Sequence, residues 1–362
     1  MAIKFYSLKV SKLVRETSDT LSITFDVPSD LKDEFSYKHG QYITVKVPVN
    51  GTDNRRAYSI CTSPVMDNNK LSIAVKKIDD GIVSRYINED LYEGDMLEVM
   101  PPLGNFTIDL DPENRNSYFL IGAGSGITPL MSILKTILAV EQESKVFLLY
   151  QNRTDDQIIF SGQLEELTEK YDGRLKVTHI LSRPSSDWKG ETGRLDSKYI
   201  EKYIAENAGN EIFKAHYFLC GPQGLMDSSE TALRNLKAAS YQIHKEIFTI
   251  TQTVPAEGNE NIVISKADEI VTQKVKIILY SEEIEFLVEP DETVLTAAQR
   301  EGQDPPFSCQ IGACSTCRAK LISGKVFMDE RDSLTDEEIE EGYILTCQSH
   351  PLTDDVVINY DD

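Results

Sequence analysis

Apolar and polar positions change rhythm along the chain. From MAIKFYSLKVSKLV through LSITFDV, QYITVKVPV, RAYSICT, LSIAVKKI and DMLEVMPP, apolar residues alternate with polar ones in short runs broken by Gly, Pro, Asn and Asp. A period of two marks half-buried strands. Many such runs at this spacing predict an antiparallel β-barrel over residues 1–110. SYFLIGAG, KVFLLYQNR, LKVTHILSR and AHYFLCG are instead near-continuous apolar runs. Between them, ITPLMSILKTILAV sets Ile127, Leu130, Met131, Leu134 and Leu138 on one helical face, and QLEELTEKY and LMDSSETALRNLKA read as further helices. Strands alternating with helices predict a doubly wound α/β domain over residues 111–250.

The polar stretch TVPAEGNENIVISKADE, Thr253 to Glu269, has no periodicity. It predicts a linker over residues 251–270, in preference to an irregular loop of that length inside one domain. Beyond it VKIILY and EIEFLV predict a hairpin, and TVLTAAQREG a short helix ending at Gly302. Residues 271–362 thus form a third, α+β domain, and the fold class is multidomain.

Composition narrows the function. With 362 residues the chain is long enough for two or three cores. No apolar run reaches membrane-spanning length, and the first residues lack a signal-peptide pattern. The expected location is cytoplasmic, without membrane insertion. A net charge of −22 argues against nucleic acid as a partner. Residues 271–362 carry 7 Lys and Arg against 20 Asp and Glu, more than half of that charge. This is either a solvated face or a docking surface for a basic partner.

Three of the six cysteines, Cys309, Cys314 and Cys317, fall within CQIGACSTC, and Cys347 follows in ILTCQSHP. The spacing C-x4-C-x2-C-x29-C is that of plant-type [2Fe-2S] ligands. Gly312 and Ala313 are small enough for backbone N–H groups to approach the sulfur atoms. A structural zinc site would need a second cysteine pair or histidines, and His350 alone stands near Cys347.

Two more motifs suit nucleotides. In RAYS, Arg56 can neutralise a pyrophosphate, Tyr58 can cover a flavin ring, and Ser59 offers a hydroxyl where hydride arrives. Lys76 is a further candidate contact, against a solvated lysine. In GIVSRYI, Ser84 reads as an N-cap on a helix whose start suits a second phosphate contact. GAGSGITP places Gly122, Gly124, Gly126 and Thr128 between a strand and a helix, a setting for a dinucleotide pyrophosphate. LCGPQG puts Cys220 and Gly221 at a strand end, where a small thiol could line a nicotinamide or else be a core residue.

Together these motifs resemble the ferredoxin-NADP reductase superfamily over residues 1 to about 250, and residues 271–362 resemble a plant-type ferredoxin domain, implying a β-grasp. The order of modules is most similar to the reductase components of phenylacetyl-CoA epoxidase and related oxygenases. The resemblance implies FAD at Arg56, Tyr58, Ser59 and Ser84, with Glu246 and Phe248 of IHKEIF facing it. It implies a nicotinamide nucleotide at Gly122, Gly124, Gly126, Thr128 and Cys220. Ser182 and Arg183 of HILSRP, with Arg153 of YQNRT, suit a 2′-phosphate, so NADPH is expected ahead of NADH. Ser59 and Cys220 are the expected catalytic pair. Hydride would reach FAD, and single electrons would pass to the [2Fe-2S] cluster and on to a partner oxygenase, expected to be a di-iron enzyme. The alternatives are another client (a Rieske oxygenase, a hydroxylase or a desaturase) or a redox sensor or assembly module that does not turn over.

Overall fold

A computed structural model describes residues 4–49, 51–79, 81–248, 262–263, 270–331 and 333–362. The chain divides into two compact units, one of them Phe5–Phe248 and the other holding the C-terminal residues to Asp362.

The alternating segments fold as β1 (Tyr6–Thr17), β2 (Thr20–Asp26), β3 (Tyr42–Val49), β4 (Thr52–Ser59), β5 (Ser72–Lys76) and, after helix α1 (Ile82–Glu89), β6 (Met96–Val99). Their order is β4-β3-β6-β1-β2-β5, antiparallel throughout. An Ile60–Ile73 bridge and a 2.9 Å bond from the Cys61 N–H to the Ser72 carbonyl join the end of β4 to β5. The sheet therefore closes on itself, as the period of two requires if every inward side chain is to be buried. Leu8, Val10, Ile23, Ile43, Val45 and Ile73 fill it.

The four apolar runs become β7 (Ser117–Ala123), β8 (Lys145–Asn152), β9 (Leu175–Leu181) and, after the short polar β10 (Glu191–Thr192), β11 (His216–Cys220), with β12 (Ile243–Glu246) added beyond it. They make one parallel sheet in the order β10-β9-β8-β7-β11-β12. Helices α2 (Ile127–Val140) and α3 (Ser161–Lys170) pack on one face, α4 (Ser197–Ala208) and α5 (Gln223–Asn235) on the other. Barrel and sheet meet along a polar seam. The Ser132 hydroxyl donates to the Thr62 carbonyl (2.6 Å), Thr136 Oγ1 donates to Ser63 Oγ (2.9 Å), and Lys135 Nζ lies 3.3 Å from Asp67 Oδ2. Phe106 packs edge-on against Phe218 of β11, with ring centroids 5.5 Å apart.

In the C-terminal unit, β13 (Ile262–Val263) precedes β14 (Gln273–Leu279), β15 (Glu282–Val288), α6 (Val294–Arg300), β16 (Arg318–Ser323), β17 (Val326–Met328), α7 (Asp336–Glu340), β18 (Tyr343–Leu345), β19 (Ser349–Pro351) and β20 (Val356–Asn359). A mixed sheet, β15-β14-β20-β16-β18, curls around the buried face of α6. This is the expected α+β grasp. The β14–β15 hairpin turns through Tyr280 and Ser281, both at positive φ, and the Asp361 carboxylate accepts their two N–H groups (2.9 and 2.6 Å). Most of the span expected as a linker lies outside the described residues. Within it, Ile262–Val263 pair in parallel with Val326–Phe327.

Candidate functional site

The nucleotide site is built at the topological switch point. From β7 the chain goes to β8 on one side and β11 on the other, and Gly122 at the end of β7 pairs with Cys220 of β11. Two turns approach closely here. A Cβ on Gly126 would stand 2.1 Å from the Cys220 carbonyl oxygen, one on Gly122 would stand 2.6 Å from Leu130 Cδ1, and one on Gly221 would stand 2.9 Å from Leu225 Cδ2. Gly124 is glycine for another reason. Its φ is +54° and the space beside it is open, while its carbonyl accepts from the Tyr150 hydroxyl at 2.9 Å. No side chain caps α2. Helix start, small turn and open space are the cradle that a pyrophosphate requires. The Thr128 hydroxyl is turned inward and donates to the Ser125 carbonyl (3.0 Å).

At the ends of β8 and β9 the Arg183 N–H donates to the Arg153 carbonyl (2.7 Å) and the Ser182 N–H to the Asn152 carbonyl (3.1 Å). These bonds bring Arg153, Ser182 and Arg183 to one rim, with both arginines exposed. Cys220 is fully buried among the residues that α2 covers. Burial pushes its thiol well above the ordinary value, and the Glu246 carboxylate adds to this. It is a neutral thiol at the end of β11. Glu246 pairs with Cys220 across β12, and Phe248 packs on the same cluster.

On the barrel, Arg56 and Tyr58 share one face of β4, Arg56 exposed and Tyr58 half-buried, whereas Ser59 points to the other face and is buried. Burial raises the Tyr58 hydroxyl far above its ordinary value. Lys76 lies 3.4 Å from Asp19 Oδ2, so it is an ion-pair partner at the end of β5. The helix expectation needs one correction. The N-cap of α1 is Gly81, and Ser84 lies in the first turn. Its Oγ accepts from the Ile78 N–H (3.2 Å) and sits 2.3 Å from where a Gly81 Cβ would be. Serine's preference for caps does not distinguish the cap from the position three residues on, from which a hydroxyl reaches back to the preceding loop. No side chain caps α1, so its first N–H groups suit a phosphate.

In the C-terminal unit the four cysteines converge as two pairs. Cys317 and Cys347 sulfurs are 3.2 Å apart, and Cys309 is hydrogen-bonded to Cys314. A hydrogen bond from Cys314 and backbone N–H groups of Ile311 and Ala313 hold Cys309 below the ordinary thiol range. A bond from Cys317, then Gln348 and the Gly312 N–H, do the same for Cys347. Gly312 takes a φ of 74°, which turns its N–H inward. Ser308 Oγ is buried and has no hydrogen-bond partner among the described residues. Four thiols in two pairs, with backbone N–H donors of Ile311, Ala313 and Gly312 beside Cys309 and Cys347, would suit the two irons of a [2Fe-2S] cluster. His350 Nε2 lies 2.9 Å from Asp329 Oδ2. Tyr150, Ser308 and Gln348 were not legible as site residues, because nothing in their spacing marks them.

A closed barrel with an uncapped helix start, a switch-point glycine cradle and four paired cysteines are the parts of a flavin-dependent iron–sulfur oxidoreductase. Residues 7–108 match the oxidoreductase FAD-binding domain, 120–231 the oxidoreductase NAD-binding domain, and 277–352 the 2Fe-2S iron-sulfur cluster binding domain. The chain is 38% identical to one of the subunits of 1,2-phenylacetyl-CoA epoxidase from Escherichia coli (strain K12), over 99% of this chain and 98% of that one. It is 36% identical to the ferredoxin reductase component of 3-ketosteroid-9-alpha-monooxygenase from Rhodococcus rhodochrous, over 98% and 96%. Phthalate dioxygenase reductase, a modular structure for electron transfer from pyridine nucleotides to [2Fe-2S], superposes with a TM-score of 0.57 over 98% of both chains at 25% identity. The chain belongs to this family of oxygenase reductases, built on the ferredoxin-NADP reductase plan. It is an NAD(P)H-dependent enzyme using FAD and a [2Fe-2S] cluster, and its partner is an oxygenase component. No helix among the described residues is long and apolar enough to cross a membrane.

Proposed function

We propose that this chain oxidises NADPH in the cytoplasm and supplies single electrons to a di-iron oxygenase that epoxidises the ring of phenylacetyl-CoA. The observation that carries this reading is the 38% identity to a phenylacetyl-CoA epoxidase component along nearly the whole of both chains. Domain limits of 1–110, 111–250 and 271–362, with a linker at 251–270, accompany it. When bound, the flavin supplies the change from two-electron to one-electron transfer. The residues supply position and charge. Arg56 and the start of α1 hold the flavin pyrophosphate, and Tyr58 covers the ring. The hydroxyl of Ser59 stands near the reacting edge. Gly122, Gly124 and Gly126 admit the nucleotide pyrophosphate to α2, and Gly221 lets the facing turn close behind it. Ser182, Arg183 and Arg153 take the 2′-phosphate. Lys76, Thr128, Glu246 and Phe248 support these sites from behind, and Cys220 lines the nicotinamide side as a small neutral wall. Cys309 with Cys314 would hold one iron, and Cys317 with Cys347 the other.

A second reading, a steroid hydroxylase as client, is favoured by the 36% identity to a ketosteroid monooxygenase reductase. The purified chain, NADPH and each oxygenase in turn decide between them. Epoxide formation from phenylacetyl-CoA, followed by mass spectrometry, is expected. Coupled steroid hydroxylation without epoxide would replace the client, and NADPH oxidation coupled to neither would overturn both.

A further inference from the structure

The side chain of Gln348 occupies a place that the reductase reading does not use. It is buried beside the last cysteine, 8% exposed. Its backbone is fixed on both sides, the N–H donating to the Leu345 carbonyl and the carbonyl accepting from the Asp329 N–H, each at 2.9 Å. Its Nε2 then faces the Cys347 carbonyl at 2.7 Å, the Gln310 carbonyl at 3.3 Å and the Cys347 sulfur at 3.5 Å. All three are acceptors. The nitrogen, not the oxygen, must therefore point at them, because the flipped amide would set oxygen against two carbonyls and a sulfur. One amide thus joins two stretches of chain, the loop that carries Cys309, Cys314 and Cys317 and the segment that carries Cys347.

We propose that Gln348 is a positioning residue for the [2Fe-2S] centre. It pins Gln310 of the cysteine loop to Cys347 and donates a hydrogen bond to the Cys347 sulfur, raising the reduction potential of the cluster. The physical reason is general. A hydrogen bond to a ligating sulfur stabilises the more negative, reduced state. The inference rests on the four-cysteine ligand set and is independent of the client oxygenase.

The test compares Gln348→Met, which keeps length and loses both N–H donors, with Gln348→Asn, which keeps the amide on a shorter stem. Full-length proteins are assayed for iron content, for flavin reduction by NADPH, for the cluster midpoint potential in a dye-mediated titration, and for the EPR spectrum of the reduced cluster. Gln348→Met is expected to hold two irons and reduce flavin as the unaltered chain does. Its cluster reduction equilibrium should be less favourable by about tenfold, or about 59 mV for one electron, with displaced g-values. Gln348→Asn should fall between. Loss of iron from Gln348→Met with retention in Gln348→Asn also supports the proposal, since it locates the anchoring in the amide. An unchanged potential and spectrum in Gln348→Met would overturn it, and so would equal loss of iron from both variants, which would make the position one of packing. If the unaltered chain itself fails to hold two irons, the ligand assignment fails, and this result is distinct from all the others.

Discussion

Replacing Gly126 by alanine tests how the nucleotide site is built. The new Cβ would lie 2.1 Å from the Cys220 carbonyl oxygen and 2.6 Å from its carbon. Neither is the end of a flexible side chain. Both belong to the backbone of β11, which is hydrogen-bonded to β7 and β12 on either side. To reach ordinary contact, the two turns must separate by about 1.3 Å, and overpacking of this kind costs about 1–3 kcal/mol. The functional loss should be larger than that stability change suggests, because a displacement of about 1 Å at a reacting centre costs on the order of 100-fold in rate. Stopped-flow reduction of the bound flavin by NADPH is the assay, with FAD content and thermal unfolding measured alongside. Gly124→Ala is the control. It meets nothing within 4 Å and carries the positive-φ penalty of about 1–2 kcal/mol without the collision. A Gly126→Ala enzyme that retained both stability and hydride transfer would refute the close-approach argument.

Other consequences are as direct. Cys314→Ser should remove the cluster and abolish cytochrome c reduction while flavin reduction by NADPH proceeds, and loss of both steps would contradict a serial path. Arg183→Glu should lower kcat/KM for NADPH by at least tenfold and spare NADH, since a lost hydrogen bond to a charged group is worth about 1.5–3 kcal/mol; equal effects on both would move the 2′-phosphate elsewhere. Burial pushes His39 down to about 4 from 6.5, and its Nε2 accepts from the Ile108 N–H at 3.3 Å. The unfolded chain therefore binds a proton that the folded chain excludes between these values, and stability falls as pH drops through 6.5 towards 4. By pH 5.5 His39 should cost about 1.4 kcal/mol, which denaturant titrations of the native chain and His39→Gln would reveal as a smaller pH slope in the variant. An identical slope in both would exclude His39.

The expectations that held were those that rest on period and on spacing. The period of two in β1–β6 and the apolar runs of β7, β8, β9 and β11 are imposed by burial on one face or on two, so the chain displays them directly. The cysteine spacing is likewise fixed by what four thiolates must surround. Helix α4 is not among the predicted elements although Ile200, Tyr203, Ile204 and Ala208 stand at i, i+3, i+4 and i+8, a helical stripe as readable as that of α2. Ser84 misled because a hydroxyl serves the cap and the first turn equally well. Gln348 and Tyr150 act through carbonyls and a sulfur brought to them by other strands, so no local pattern could mark them.

The seam between barrel and parallel sheet explains why two nucleotide-type sites share one unit. Hydride transfer requires its reactants in contact and aligned, so their supports must be one body. Ser132, Lys135 and Thr136 fall within about one helical turn of each other on α2, and all three bond barrel residues between Thr62 and Asp67. The same helix begins at the glycine cradle. Its first turn thus serves the nucleotide, while its next two turns fasten that site to the flavin barrel. Lengthening α2 by one residue ahead of Ser132 would rotate the three donors by about 100° from their partners. The geometry of hydride transfer is therefore encoded in a helical register, which a sequence of mostly apolar residues, ITPLMSILKTILAV, carries in three polar side chains.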